Sequence, residues 1–180
     1  MKILAIIGAH AYFALEGAVI DGTTVSATAK PDADPIANWS SFGVIEENDI
    51  NVSYEGETKH YAPTPGAYKH RRSTYESIEV SGALVCQDMD AFVLSLAMGA
   101  KQADAATGDY VPGSQTEAQR GWLKLQHYAA DTEELVNLMD IWCEFKVGGG
   151  IKFSKAVTKP SVDFMMLQSP LNVGNFANLG

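Results

Sequence analysis

The sequence predicts a mainly β fold: an antiparallel β-sandwich or partial barrel with one flanking short α-helix and a long hairpin loop. Three observations predict it. Apolar and polar residues alternate with a period of two in several separate runs, the pattern of half-buried strands. Turn residues divide those runs. Only one segment combines a helical apolar face with a cap and a stop.

Taken in order, the chain opens with MKILAIIGAHAYFALEG. Lys2, a short apolar run and Ala9-His10-Ala11 imitate a secretory signal peptide. The unbroken apolar stretch, Ile3 to Ile7, is shorter than the roughly 7–15 residues such a segment needs. It is therefore read as a buried strand. Residues 22–38 (GTTVSATAKPDADPIAN) hold two prolines and many small residues and read as an arm or loop. Between Ile50 and Glu55, Ile50, Val52 and Tyr54 alternate with Asn51, Ser53 and Glu55. Residues 58–72 then read as a long hairpin loop, with Pro63, Pro65 and Gly66 limiting regular structure in it. In the run from Tyr75 to Cys86, Ile78 and Val80 alternate with Glu79 and Ser81 before ALVC turns fully apolar.

The helix is DMDAFVLSLAMG. Asp88 can cap it and Asp90 adds negative charge to its first turn. Phe92, Val93, Leu96 and Ala97 form one apolar face, and Gly99 can end it as a left-handed residue. The following KQADAATGDYVPGSQ is a surface loop, and Ser114 to Glu117 has capping-box form but room for one turn at most. Trp122 to Tyr128 alternates again. Ala130 to Glu133 offers a turn. In the 139–147 strand, Met139, Ile141, Cys143, Phe145 and Val147 point one way, and Asp140, Trp142, Glu144 and Lys146 the other. Gly148-Gly149-Gly150 reads as a hairpin connection to IKFSKAV. Val162, Phe164 and Met166 mark one more strand, and residues 170–180 read as a C-terminal arm.

A chain of 180 residues favours a single domain. Apolar residues make up 46% and charged residues 19%, a balance that supports a core rather than disorder. The net charge of −9 argues against a chain that grips nucleic acid, since phosphate binding needs a basic footprint. No run approaches the roughly 20 apolar residues of a membrane-spanning helix. Cys86 and Cys143 lie in apolar runs and read as reduced core residues.

Catalytic patterns are sparse. His10, His60, His70 and His127 form no HExxH or HxxxH pair and adjoin no cysteine at metal spacing. His127 alternates with Leu123 and Leu125 and reads as a core or edge histidine; His60 and His70 read as solvated. There is no G-x-S-x-G elbow. GDYVPG places Ser114 where a phosphate loop needs Lys, and the 148–150 glycines precede no helix. Carboxylate pairs such as Glu46 with Asp49, or Asp140 with Glu144, read as strand faces in solvent. The sequence thus names no catalytic set, cofactor or metal site, and the chain is read as a non-enzyme.

Charge is sharply divided around the hairpin. Residues 44–57 carry five acids and no Lys or Arg; residues 58–72 carry Lys59, Lys69, Arg71 and Arg72 and no acid. The cluster from Lys69 to Arg72 could touch phosphate or equally pair with acids on another copy of the chain, and such pairs set register more than they add affinity.

The order of elements is similar to that of the major tail tube protein of long-tailed bacteriophages. NWSSFGVIEENDINVSYEGE resembles the family's early region, TKHYAPTPGAYKHRR its long hairpin loop, and IEVSGALVCQDMDAFVLSLAMGA its strand and short helix. RGWLKLQHYA and LMDIWCEFKV resemble the strands that follow, with IKFSKAV and SVDFMMLQ at the end. The likeness is one of pattern and order over residues 38–168.

The resemblance implies a β-sandwich or partial barrel whose copies form hexameric rings, with inner sheets joined and rings stacked into a tube. It implies a structural protein of the virion tail, made in the bacterial cytoplasm. Its partners would be itself and tape-measure, tail-tip and tail-terminator proteins, and DNA would only pass through. On that basis Lys59, Lys69, Arg71 and Arg72 would meet Glu46, Glu47 and Asp49 of the next ring. Asp140 and Glu144 would line an acidic lumen that repels DNA. The inner tube of a contractile tail or secretion system shares the fold. A monomeric barrel binding a small ligand is the alternative of a different class.

Overall fold

The computed structural model describes residues 6–32, 36–87, 91–101, 106–107, 109–130, 134–146, 151 and 159–176. Its strands are β1 (Ile6–Leu15), β2 (Val19–Ile20), β3 (Thr23–Thr24), β4 (Ser40–Glu55), β5 (Thr58–Thr64) and β6 (Ala67–Thr74). They continue with β7 (Ser77–Cys86), β8 (Gln119–Ala129), β9 (Leu135–Phe145), β10 (Ser161–Met166) and β11 (Val173–Phe176). One α-helix, α1 (Ala91–Ala97), lies between β7 and β8.

The main sheet runs β10-β7-β4-β1-β8-β9-β11, and β10 also pairs with β9. That second pairing closes six antiparallel strands into a barrel, with β11 added beyond β9 on β9's upper half. Closure removes the exposed edges an open sheet would present. The fold is thus the mainly β barrel with one short helix that the alternation predicts.

Inward residues follow the period of two. Ala9, Ala11 and Phe13 on β1, Leu123 and Leu125 on β8, and Ile141, Cys143 and Phe145 on β9 share one core with Leu84, Val162 and Phe164. Phe13 and Phe145 meet edge-to-face at 5.0 Å. Phe92 of α1 meets Phe42 at 5.1 Å, so the helix plugs the barrel end where these rings cluster. The helix stops as the sequence indicates. Gly99 has φ +57°, its N–H bonds the Leu96 carbonyl, and the N–H of Ala100 bonds the Ser95 carbonyl. These are the two bonds of a Schellman stop. The expected caps Asp88 and Asp90 lie outside the described residues, as do the 148–150 connection, most of IKFSKAV and residues 131–133. Cys86 and Cys143 are both buried thiols. Burial, then the Glu144 carboxylate, pushes the Cys143 thiol far above the usual thiol range.

The outer face of β1, β8 and β9 is buried too. Ala14, Trp122 and Trp142 form a second core with Ile20, Val25 and Trp39. The described residues of 16–39 therefore form a strap across the barrel wall. The Trp122 indole donates to the Ser26 carbonyl at 2.9 Å and the Trp39 indole to the Asp32 carbonyl at 3.2 Å. Of the two expectations for residues 22–38, arm or loop, the described residues fit the loop, because they pack on their own chain. The expected C-terminal arm begins as strand β11, with Val173 opposite Asp140 and Gly174 opposite Met139.

A further correction concerns residues 58–72. They form no irregular loop but a regular two-stranded ribbon, β5 and β6, turning at Pro65-Gly66. Gly66 has φ +83°, which suits the third position of a type II turn that Pro65 opens. Pro63 is tolerated because each strand of a lone pair is an edge strand.

Candidate functional site

Two features of the surface are not used by the fold. The first is the ribbon. β4 and β7 remain paired from Ile45↔Cys86 out to Glu55↔Ser77, and β5 and β6 continue the excursion. No residue of β5 or β6 is buried. Six of the twelve large apolar side chains left exposed among the described residues lie between 52 and 78. Val52 and Tyr54 face Val80 and Ile78 across the strands, so they form one stripe. Beyond it, Tyr61 meets His70 at 5.9 Å and Tyr68 lies 76% exposed.

The candidate contact residues fall on this ribbon and at its base. Lys69, Arg71 and Arg72 are exposed and make no ion pair among the described residues. Lys59 lies 3.8 Å from Glu57, both exposed. At the base, Glu46 pairs with Lys159 of its own chain at 2.5 Å, while Glu47 and Asp49 are exposed. Glu46, Glu47 and Asp49 thus lie at the base of the excursion on β4, and the basic side chains lie along β5 and β6, with Lys59, Arg71 and Arg72 nearer the β4–β7 junction than the turn. β5 alone has a contour of about 20 Å at ~3.3 Å per residue.

Asp140 requires correction. Asp140 is 4% exposed and its carboxylate is held by Lys30 and Lys124. Lys124 lies over the Trp39 ring at 5.8 Å and Lys30 over the Trp122 ring at 5.9 Å. This carboxylate ties the strap to the barrel wall and lines no lumen. Glu144 is partly buried, 3.9 Å from Arg120 on the neighbouring strand. Asp140 and Trp142 on this face are covered by the strap, which strand alternation alone cannot reveal.

The second feature is a cleft of 580 Å³ at the barrel end opposite α1. Inward-facing Ala9, Ile45, Ile50 and Met139 give it apolar walls, and Asn48, His127 and Asn137 give it polar ones. His127 is buried between two amides. Its Nε2 lies 2.9 Å from Asn48 Oδ1 and its Nδ1 lies 3.1 Å from Asn137 Nδ2. An amide nitrogen can only donate, so Nδ1 accepts and Nε2 carries the proton to Asn48. Burial lowers the His127 pKa below its ordinary 6.5, which keeps this neutral tautomer. Asn137 Oδ1 is buried and has no hydrogen-bond partner among the described residues. Sequence reading placed His127 inside but missed Asn48 and Asn137, which join it only through the barrel register.

Among the described residues, no group of three or more His, Cys, Asp or Glu is placed to hold a metal ion. No described helix is long and apolar enough to cross a membrane. No protein-family model matches the chain, and no curated protein matches it.

Proposed function

We propose that this chain is the repeating subunit of a tube of the phage tail-tube type. It is a structural protein that assembles as hexameric rings stacked into a conduit for DNA. The ribbon carries this proposal. A two-stranded ribbon with both faces in water is marginal by itself and gains stability from a third strand or a packed surface. Here it carries four basic side chains, and the β4–β7 pair that supports it carries an apolar stripe, neither of which the barrel uses. A second copy of the chain offers complementary charge: the hairpin 58–74 contributes +4 to a net −9, leaving −13 on the rest. A closed barrel with a helical plug also suits the fold that the resemblance implies. In this role the chain acts through surfaces, its main partner is itself, and tape-measure, tail-tip and terminator proteins would bound the tube.

Negative-stain electron microscopy over a concentration series tests the proposal. Hollow tubes, or rings with sixfold end views, are the expected result. Monomers throughout the series would count against it and favour a barrel that works alone.

A further inference from the structure

The cleft and the apolar stripe on β4 and β7 belong to one surface. β1 pairs with β4 only as far as Ala9↔Ile45, and beyond that point only β7 flanks β4 among the described residues. The ladder from Ile50↔Gly82 to Glu55↔Ser77 is unbroken, so Ile50, Val52 and Tyr54 share a face with Val80 and Ile78. Ile50 lines the cleft and packs against the barrel core. The stripe is therefore the barrel's inner face, continued outward past the strands that would cover it. Val52, Tyr54 and Ile78 are each more than half exposed. The cleft at the inner end of this trough has Glu46 and Glu47 among its described lining residues, and no Lys or Arg.

The same chain carries a surface of complementary chemistry. On the ribbon, Tyr61 lies opposite His70 and Pro63 opposite Tyr68, so these four side chains occupy one face. Tyr61 and Tyr68 are more than half exposed. Lys59 shares their side of β5, and residues 58–74 hold four basic residues and no acid. Tyrosines that fill an apolar recess are the usual anchors of a protein contact, and opposite charge around them selects the partner. In a single chain the aromatic face and the trough both stand open.

We propose that the trough of one copy receives the ribbon of another. Tyr61 and Tyr68 pack on Ile50, Val52, Tyr54 and Ile78, and the acidic rim at Glu47 faces the ribbon's cations. This contact rests on the self-assembly reading above and adds the receiving surface to it. Donor and receiver are different patches, so the contact is heterologous and either closes a ring or extends head to tail.

Sedimentation velocity of the full chain tests this with two variants. Tyr61→Ser/Tyr68→Ser strips the ribbon face, and Val52→Lys/Ile78→Lys places cations in the trough. All four side chains are exposed, so both variants should keep the parent's melting temperature within about 4 °C. Each variant alone should associate at least about tenfold more weakly than the parent. An equimolar mixture of the two should form a one-to-one dimer and nothing larger, because each pair holds one intact ribbon and one intact trough. Parent-like association by either variant alone overturns this inference and leaves assembly through another surface standing. A mixture that stays monomeric while the parent associates overturns it as well. A parent that never associates removes the assembly reading itself, and this contact with it.

Discussion

Asp140 is the residue on which the strap most depends. It neutralises Lys124, whose side chain is 4% exposed, and also engages Lys30 from the strap. Asp140→Asn would leave the Lys124 ammonium buried without its counter-charge. Breaking such a pair by removing one partner costs about 3–5 kcal/mol, whereas replacing a buried pair with apolar residues is often neutral. Urea unfolding should therefore show Asp140→Asn destabilised by about 3 kcal/mol or more, with Lys124→Met/Asp140→Leu closer to the parent. A loss below about 1 kcal/mol in the single variant would show that the charges are solvated and the strap is held by its tryptophans alone. His127 leads to a second expectation. Its folded pKa is depressed by burial, so the unfolded chain takes up a proton first as pH falls through about 6.5. Stability due to this group is fully present above 6.5 and is lost as pH drops toward the folded pKa. Denaturant midpoints between pH 7.5 and 5 should fall more steeply for the parent than for His127→Gln. Parallel profiles would mean that the ring protonates equally in both states.

At the scale of elements, alternation identified the strands whose two faces differ, and it failed where a face is hidden by something distant. The 50–55, 122–128 and 162–166 runs fall within β4, β8 and β10, the 75–86 run covers β7 and begins two residues before it, and the Gly99 stop ends α1 as expected. On β9, Asp140 looked solvent-facing because nothing local signals a strap from residues 16–39. Likewise the cleft needs Asn48, His127 and Asn137 from three strands, and only their register brings them together. Residues 58–74 were misjudged for a different reason. Prolines break central strands, but this ribbon has no central strand, so Pro63 sits opposite Tyr68 at no cost to a ladder. The ribbon's separation from the core has a measurable consequence. Replacing residues 58–74 with Asn-Gly, a tight hairpin turn, removes no buried side chain. The melting temperature should stay within about 4 °C of the parent, the shift expected for a change below about 1 kcal/mol. Sedimentation should nevertheless show self-association lost. A drop of about 10 °C or more in the circular dichroism melt would make the ribbon part of the barrel's own fold.

For the whole molecule the decisive property is where charge lies. A chain of net −9 repels its copies at long range, yet its hairpin carries +4 against −13 elsewhere. Repulsion between whole chains is screened beyond about 8 Å at physiological salt, whereas charges in direct contact are screened less. Association through the hairpin would therefore depend on local matching, with the apolar stripe of Val52, Tyr54 and Ile78 supplying burial. The triple change Lys69→Glu, Arg71→Glu and Arg72→Glu turns the hairpin from +4 to −2. All three side chains are exposed, so the melting temperature should change little, as for other surface substitutions. At low salt the variant should associate at least about tenfold more weakly, a difference of about 1.4 kcal/mol. The gap between variant and parent should narrow near 0.5 M salt, where the Debye length falls to about 4 Å. Sedimentation velocity of both proteins at two salt concentrations measures this directly. Equal association at low salt would remove charge matching from the contact and leave the apolar stripe as its sole source. A deficit that persists unchanged at high salt would instead mean that the basic side chains act through packing of their stems.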